Sequence, residues 1–155
     1  MVILIPGHGE RKINKVVFDF NGTLATDGIV SEPIKEALMR LSKKVEVVVL
    51  TADTNGSISH ELRDTGITCH IVSDIQGGQE KEAHVIGSDW AHTATVGNGA
   101  NDLLMNRASA LAIAVIGEEG CFGKVVAEAD IVVTDIHHVF NMFQEPNRIV
   151  ATLRT

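Results

Sequence analysis

Short apolar runs alternate with longer segments of helical periodicity along most of the chain. The runs are rich in β-branched residues and end at polar or turn-forming residues, as buried parallel strands do. They predict strands over 15–19, 45–50, 68–72, 93–96, 111–116 and 131–133. An earlier run, 2–5, precedes a Pro-Gly turn and predicts an edge strand that pairs with the chain following it.

The segments between these runs predict helices. The clearest begins after Ser31, has Pro33 in its first turn and repeats apolar residues at helical spacing, namely Ile34, Ala37, Leu38 and Leu41. Further helices are predicted from Asn55-Gly56 to about Gly66, over 79–90, from about residue 100, over 122–129, and in the tail, which Pro146 interrupts.

Strands that alternate with helices of this length predict an α/β fold. The expected architecture is a Rossmann-like, doubly wound and mostly parallel sheet with helices on both faces. A chain of 155 residues with 45% hydrophobic residues is the size of one domain and can bury a sizeable core. Because no linker, repeat or low-complexity segment divides it, we expect residues 1–155 to form a single domain.

Charge and composition narrow the range of partners. The formal net charge of −7 argues against binding to the phosphate backbone of nucleic acids. No apolar run approaches the roughly 20 residues needed to cross a bilayer, and the opening run is too short for a signal peptide. The two cysteines, Cys69 and Cys121, fit reduced thiols. The histidines lack metal-ligand spacing, so His137 and His138 are interpreted as surface or end-of-strand residues. We therefore expect a cytoplasmic protein that binds neither nucleic acid nor membrane.

Polar residues fall at the ends of three predicted strands. Asp19 closes the strand that begins at residue 15, Thr51 follows the next strand, and the loop 98–102 follows the strand that begins at residue 93. The carboxyl ends of parallel strands meet at one edge of an open α/β sheet, where ligands bind. The sequence therefore predicts a site at this edge.

In their order along the chain, these residues resemble the motifs of the haloacid dehalogenase superfamily, and within it the phosphorylation domain of P-type ATPases. The first motif, Asp-x-Asp-Gly-Thr, stands here as Asp-Phe-Asn-Gly-Thr over 19–23, and the second begins the segment Thr-Ala-Asp-Thr-Asn-Gly over 51–56. Lys81 matches the third motif, a lysine. The fourth, Gly-Asp-Gly-x-Asn-Asp, stands as Gly-Asn-Gly-Ala-Asn-Asp over 97–102. The likeness covers residues 15–135, and the membrane helices, actuator domain and nucleotide domain of a true ATPase are not part of it.

The resemblance implies a Mg²⁺-dependent phosphohydrolase that passes through a phosphoaspartate at Asp19, assisted by Thr51 and Lys81. The implied metal ligands are Asp19, the backbone carbonyl of Asn21, Asn98 and Asp102. The implied phosphate contacts are Asn21, Gly22, Thr23, Thr51, Ala52 and Lys81, with Asp53 and Asn101 in supporting positions. The chemistry agrees, because a carboxylate that attacks a phosphoryl group needs the negative charge of its target neutralised. Mg²⁺ takes oxygen ligands, and a lysine adds a second positive charge.

Each of these residues also has a simpler interpretation when it is considered alone. Asp19 and Asp53 are residue types that form turns, Asp102 can cap a helix, and a lysine such as Lys81 is usually solvated. The order of four motifs, rather than any single residue, favours the catalytic interpretation.

Two positions depart from the superfamily pattern. Asn21 stands where most phosphatases of this group have a second Asp, which protonates the leaving group and then activates water. An amide cannot shuttle that proton, and such catalysis is worth about a hundredfold to ten-thousandfold in rate. Asn98 stands in place of a magnesium-binding Asp, so we expect weaker metal binding. These departures predict slow turnover and a preference for phosphoanhydrides or activated phosphoesters, whose leaving groups depart as stable anions.

The motif spacing leaves no room for a cap domain, because helix and strand units use up both intervals where the superfamily inserts one. The segment 24–30 is expected either to act as a flap or simply to join strand to helix. Members of the superfamily without a cap act on large substrates or close the site with a neighbouring subunit, so a homo-oligomer is one of the two arrangements that the resemblance implies. The expected substrate is a phosphorylated small molecule or nucleotide. The alternative function is a phosphate-binding or phosphorylatable regulatory module with little turnover.

Overall fold

The computed structural model describes residues 1–52 and 57–155. Its strands are β1 (Val2–Ile5), β2 (Gly9–Lys12), β3 (Lys15–Asp19), β4 (Glu46–Thr51), β5 (Thr68–Ile71), β6 (Thr93–Gly97), β7 (Leu111–Val115) and β8 (Ile131–Val133). Its helices are α1 (Glu32–Ser42), α2 (Ser57–Glu61), α3 (Gly77–Ile86), α4 (Leu103–Ala108), α5 (Gly123–Glu128), α6 (Ile136–Gln144) and α7 (Asn147–Leu153). Short 3₁₀ turns cover Arg63–Thr65, Trp90–His92 and Ala100–Asp102.

Six of these strands form one parallel sheet in the order β5-β4-β3-β6-β7-β8. The chain adds β4 and β5 on one side of β3 and then returns to place β6 on its other side. The carboxyl ends of β3 and β6 therefore mark the point where the winding reverses, which is where open α/β sheets bind ligands. The predicted doubly wound parallel sheet is confirmed.

Both faces of the sheet are covered by helices. Successive residues of a strand point to opposite faces, so Phe18 lies in the larger core beneath α1 and α6, whereas Val17 lies in a smaller core with Val85 of α3 and Met105 of α4. The ring of Phe18 stacks on that of Phe140 in α6, with 5.7 Å between centroids. Burial on both faces explains why the strands read as continuous apolar runs.

Two helices differ from the prediction. The helix predicted over 79–90 starts at Gly77 and ends at Ile86, because the chain leaves the helix at Gly87 and forms a separate 3₁₀ turn at 90–92. The helix predicted from about residue 100 opens with a 3₁₀ turn before α4 begins. The first strand, β1, pairs with the chain that follows it, as predicted, and forms a separate two-stranded sheet with the antiparallel strand β2. β2 is mostly exposed and charged, so no apolar pattern predicted it.

The described residues contain no cap domain. The strands β3 and β4 are joined through α1, and between β4 and β6 the described segments are α2, β5 and α3. The predicted start of a helix at Asn55-Gly56 lies outside the described residues, and the predicted stop at Gly66 coincides with a left-handed backbone, φ +69°. Within residues 1–52 and 57–155, none of the helices has the length and apolar character to span a membrane.

Candidate active site

Asp19 lies at the carboxyl end of the central strand β3, at the point where the winding of the sheet reverses. Its backbone pairs with that of Leu50 in β4, which places Thr51 one residue further toward the same edge. Asp19 is 6% exposed and Thr51 is 1% exposed. A carboxylate buried to this degree is held almost always by a partner of opposite charge, a metal or several hydrogen bonds.

The partner of Asp19 is the buried ammonium group of Lys81, which α3 carries under the sheet edge. Lys81 Nζ donates hydrogen bonds to Asp19 Oδ1 at 2.5 Å and to Asp102 Oδ1 at 2.7 Å. Lys81 and Asp102 are both 0% exposed. The structure thus brings three of the predicted catalytic and metal-binding residues into direct contact, and Lys81 is not the solvated helix residue of the simpler interpretation.

The three buried groups carry two negative charges and one positive charge. Burial raises the pKa of Asp19 to about 7, and the charge of Asp102 acts in the same direction, while the bond to Lys81 opposes both. For Lys81, burial lowers the pKa, but the two carboxylates outweigh burial and raise the pKa above its usual value. The cluster is therefore short of positive charge, which is what a bound cation would supply.

Asp102 is fixed by the backbone of its own loop. Its Oδ2 accepts hydrogen bonds from the amides of Asn98 at 3.0 Å and Gly99 at 2.8 Å. A Cβ atom on Gly97 would lie 2.5 Å from the carboxyl carbon of Asp102, so only glycine allows the strand end to approach this closely. Asp102 therefore orders the loop as the capping interpretation requires, and its other oxygen still faces Lys81.

Thr23 and Asn98 form a polar bridge beside Asp19. Thr23 Oγ1 lies 3.0 Å from Asn98 Oδ1 and 3.5 Å from Asp19 Oδ2. The amide nitrogen of Asn98 donates to the carbonyl of Gly120 at 3.1 Å, which turns its oxygen toward Thr23. This contact could not be predicted from the sequence, because Gly120 belongs to no motif and lies in the loop between β7 and α5.

We expect Gly22→Ala to lower the free energy of unfolding by about 2–4 kcal/mol, because it combines left-handed backbone strain with a collision. Gly22 has φ +75°, and an added Cβ would lie 2.3 Å from the Asn98 amide nitrogen. Urea unfolding of both proteins measures the difference. The matched control is Gly66→Ala, where φ is +69° but nothing lies within 4 Å of the added atom. Equal losses in the two variants would mean that the contact with Asn98 contributes nothing.

The remaining predicted residues lie at the same edge with varying exposure. Gly22 and Thr23 are buried, Ala52 is half-buried, and Asn21 and Asn101 are exposed. Asp53 lies outside the described residues. The supporting roles of Asn101 and Asp53 and the phosphate contacts of the other residues therefore stay predictions.

A magnesium ion fits the donor set of this site. Among the described residues, no three His, Cys, Asp or Glu side chains group as a metal cluster. The oxygen donors that do converge are the carboxylates of Asp19 and Asp102 and the Asn98 amide oxygen near Thr23. Hard cations that keep several waters need only one or two carboxylates, and the two carboxylates of this site share one buried cation, Lys81. With the backbone carbonyl of Asn21, these residues are the ones that would hold Mg²⁺.

A cleft of about 460 Å³ opens beside Gly22 and Thr23. One wall is the segment 24–30, and the other is formed by the residues after β7 and β8, including Glu118, Asp135 and His137. The backbone amide of Asp27 donates to Glu119 Oε1 at 2.8 Å and joins the two walls. The wall formed by Glu118, Asp135 and His137 was not predicted from the sequence, although these residues follow strands that end at the same edge of the sheet. His137, predicted to be a surface or end-of-strand residue, is half-buried in this wall, shortly after the end of β8.

No protein-family model matches the chain. The cobalt-bound deoxy-D-mannose-octulosonate 8-phosphate phosphatase (YrbI) from Haemophilus influenzae has a TM-score of 0.74 at 17% identity, covering 93% of this chain and 94% of that one. The 3-deoxy-D-manno-octulosonate 8-phosphate phosphatase from Moraxella catarrhalis, in complex with magnesium ion, phosphate ion and KDO, has a TM-score of 0.68 at 18% identity, covering 92% of this chain and 94% of that one. The fold is that of the haloacid dehalogenase superfamily, as the motifs predicted.

Two relatives by sequence come from Methanocaldococcus jannaschii. The uncharacterised protein MJ0073 is 42% identical over 59 residues, which are 38% of this chain and 63% of that protein, so the match spans less than two thirds of its length. The uncharacterised protein MJ0072 is 45% identical over 40 residues, which are 26% of this chain and 91% of that protein. The chain belongs to the same family as MJ0072. Both relatives are uncharacterised, so neither indicates an activity for this chain.

Proposed function

We propose that this protein is a Mg²⁺-dependent phosphohydrolase that forms a phosphoaspartate at Asp19. The observation that carries the proposal is the buried contact of Lys81 with both Asp19 and Asp102 at the reversal point of the sheet. The M. catarrhalis relative by fold, whose structure contains magnesium and phosphate ions, supports the same chemistry here.

We propose different tasks for the two oxygens of Asp19. Oδ1 accepts the hydrogen bond from Lys81, which leaves Oδ2, on the side of Thr23, to attack phosphorus. The Lys81 ammonium and the hydroxyl of Thr51 would then balance charge on the phosphoryl oxygens, together with the backbone amides of Gly22 and Thr23. Mg²⁺, when bound, supplies further positive charge to these oxygens.

The leaving group receives no proton from the position where the superfamily places its acid. Asn21 is exposed at the mouth of the site, and its amide is neither an acid nor a base at neutral pH. Simple alkyl phosphates, whose alkoxides are poor leaving groups, are therefore expected to turn over slowly. The leaving groups of phosphoanhydrides, acyl phosphates and aryl phosphates depart as stable anions without a proton donor, so the lack of an acid at position 21 slows these substrates less. In this respect the site resembles that of the P-type ATPases.

The replacement of carboxylates at positions 21 and 98 also favours a second candidate function. Water that attacks the phosphoaspartate has no base at position 21, so the phosphoenzyme is expected to form faster than it decays. A protein with that property acts as a phosphorylatable regulatory module rather than as a steady-state enzyme. A homo-oligomer that closes the cleft stays a prediction for either function.

The decisive test is a time course of phosphate release and covalent labelling with acetyl phosphate, p-nitrophenyl phosphate and ATP in Mg²⁺. Repeated turnovers that Asp19→Asn and removal of Mg²⁺ abolish are the expected result. The matched control is Asp64→Asn, an equal change at an exposed carboxylate. Stoichiometric labelling of Asp19 without release would favour the regulatory module. Neither labelling nor release would exclude both functions.

A further inference from the structure

The cleft beside Gly22 and Thr23 adjoins the reaction centre through the Thr23 hydroxyl, which lies 3.5 Å from Asp19 Oδ2, and it carries negative charge on the wall opposite the segment 24–30. Glu118 and Asp135 both line it, each on a different loop. No lysine or arginine is among the lining residues in the described ranges 1–52 and 57–155, and His137 is the basic residue there. Apart from Lys81 at the reaction centre, a leaving group in this cleft therefore meets carboxylates and no fixed cation.

This charge distribution discriminates among the leaving groups that need no proton donor. A nucleoside diphosphate leaves with several negative charges, which the two carboxylates would repel. A neutral or cationic leaving group meets no such repulsion. The side chains of Ile29 and Ile34 also line the cleft, so a small ligand with an apolar part and a positive end matches its walls.

Compounds with a phosphorus–nitrogen bond satisfy both constraints of the site. The leaving nitrogen needs no enzymatic acid, because nitrogen in these compounds is basic enough to take a proton from solvent near neutral pH, unlike an ester oxygen, and it then departs as a neutral amine or imidazole. The product amine is neutral or cationic, unlike an alkoxide or a diphosphate. Asn21 and the acidic wall, which are independent features of the sequence and the structure, thus point to the same bond type.

We propose that the substrates are small phosphoramidates, in which phosphorus is bound to the nitrogen of an amine or an imidazole. This inference rests on the phosphohydrolase activity proposed above. In the first step, which begins from the substrate protonated on nitrogen by solvent, Asp19 Oδ2 forms a bond to phosphorus and the P–N bond breaks, and its electron pair returns to the nitrogen, which leaves as a neutral amine or imidazole. In the second, a water oxygen bonds to the same phosphorus, the Asp19 carboxylate departs, and the proton of water passes to solvent or to the released phosphate. Glu118 and Asp135 attract the cationic part of the leaving group.

The test compares 3-phosphohistidine, acetyl phosphate and ATP as substrates of the full chain in Mg²⁺. For the wild-type protein, kcat/KM for 3-phosphohistidine is expected to exceed that for ATP at least about tenfold, since ATP brings its charged leaving group against two carboxylates. In the double variant Glu118→Gln/Asp135→Asn, the ratio of kcat/KM for 3-phosphohistidine to that for acetyl phosphate should fall about fivefold to tenfold, as expected for two solvent-exposed charge contacts.

The variants are chosen to leave the fold in place. Asp135 accepts a hydrogen bond from the His137 amide at the start of α6, and asparagine caps helices as well as aspartate does. The matched control, Glu10→Gln/Asp64→Asn, removes the same charge from exposed residues that do not line the cleft and should leave the ratio unchanged.

Three outcomes would overturn the inference in distinguishable ways. If ATP is hydrolysed as fast as 3-phosphohistidine, or if the control variant shifts the ratio equally, the acidic wall does not select the leaving group. The proposed phosphohydrolase activity would not be contradicted by either result. If acetyl phosphate is hydrolysed in an Asp19-dependent manner but 3-phosphohistidine is not, the substrate class alone is wrong. If no compound is hydrolysed or labels the protein, the proposed function fails and the inference fails with it.

Discussion

Replacing Asn21 by aspartate is expected to speed hydrolysis of alkyl phosphates by about a hundredfold or more, the lower end of what general acid–base catalysis contributes. The new carboxyl group would stand two residues after Asp19, where it can protonate a departing alkoxide and then accept a proton from water. Because position 21 is exposed at the mouth of the site, the change adds no buried charge. Steady-state kcat/KM with a series of aryl and alkyl phosphates measures the effect.

The dependence on the leaving group separates this explanation from a general improvement of the site. In the wild-type protein, log kcat/KM should fall steeply as the leaving group becomes more basic, and Asn21→Asp should flatten that slope. Asn21→Gln is the matched control, since it keeps an amide and should keep the slope. An equal acceleration for all leaving groups would contradict the role assigned to position 21.

Lys81→Met is expected to lower the free energy of unfolding by about 3–5 kcal/mol, because it leaves two buried carboxylates without their cation. Methionine fills nearly the same volume, so little of this loss comes from a cavity. Lys81 is 0% exposed and donates hydrogen bonds to both Asp19 and Asp102, so water cannot solvate these two carboxylates in its place. Urea unfolding in EDTA measures the loss without interference from bound metal.

A double variant shows whether the loss is electrostatic. Asp102→Asn removes one of the two unpaired charges, and its amide oxygen can still accept the hydrogen bonds from Asn98 and Gly99. Lys81→Met/Asp102→Asn should therefore be more stable than Lys81→Met alone, a non-additive result. Lys12→Met, at an exposed position of β2, is the control and should change stability little. Strict additivity of the two changes would contradict the charge explanation.

The architecture of the main sheet was predictable because its strands are buried on both faces. Runs such as 111–116 are apolar throughout, and each ends close to a polar or glycine residue. By contrast, β2 consists of Gly-Glu-Arg-Lys and pairs with β1 outside the main sheet. Because its side chains are mostly exposed, the pattern of apolar residues does not indicate that it forms a strand. A strand without a buried face cannot be predicted from burial.

The centre of the site was predictable for a different reason. Asp19, Lys81 and Asp102 follow known motif positions, and parallel strands bring their ends together whatever the details of packing. The cleft wall was not predictable, because Glu118 and Asp135 lie in loops whose sequence resembles no motif. The contact between Gly22 and Asn98 was hidden as well, since it joins residues 76 positions apart through tertiary packing alone.

The hydrogen bond from Asn98 to the Gly120 carbonyl makes the two departures from the superfamily pattern unequal in evolutionary terms. At position 98, an aspartate would place a carboxylate oxygen against that carbonyl, 3.1 Å away, and the loop carrying Glu118 and Glu119 would lose one of the hydrogen bonds that hold it. Position 21 is exposed, so an aspartate there meets no such unfavourable contact. A lineage could therefore regain the acid at position 21 by one substitution. A return to aspartate at position 98 would first need a change in the loop around Gly120.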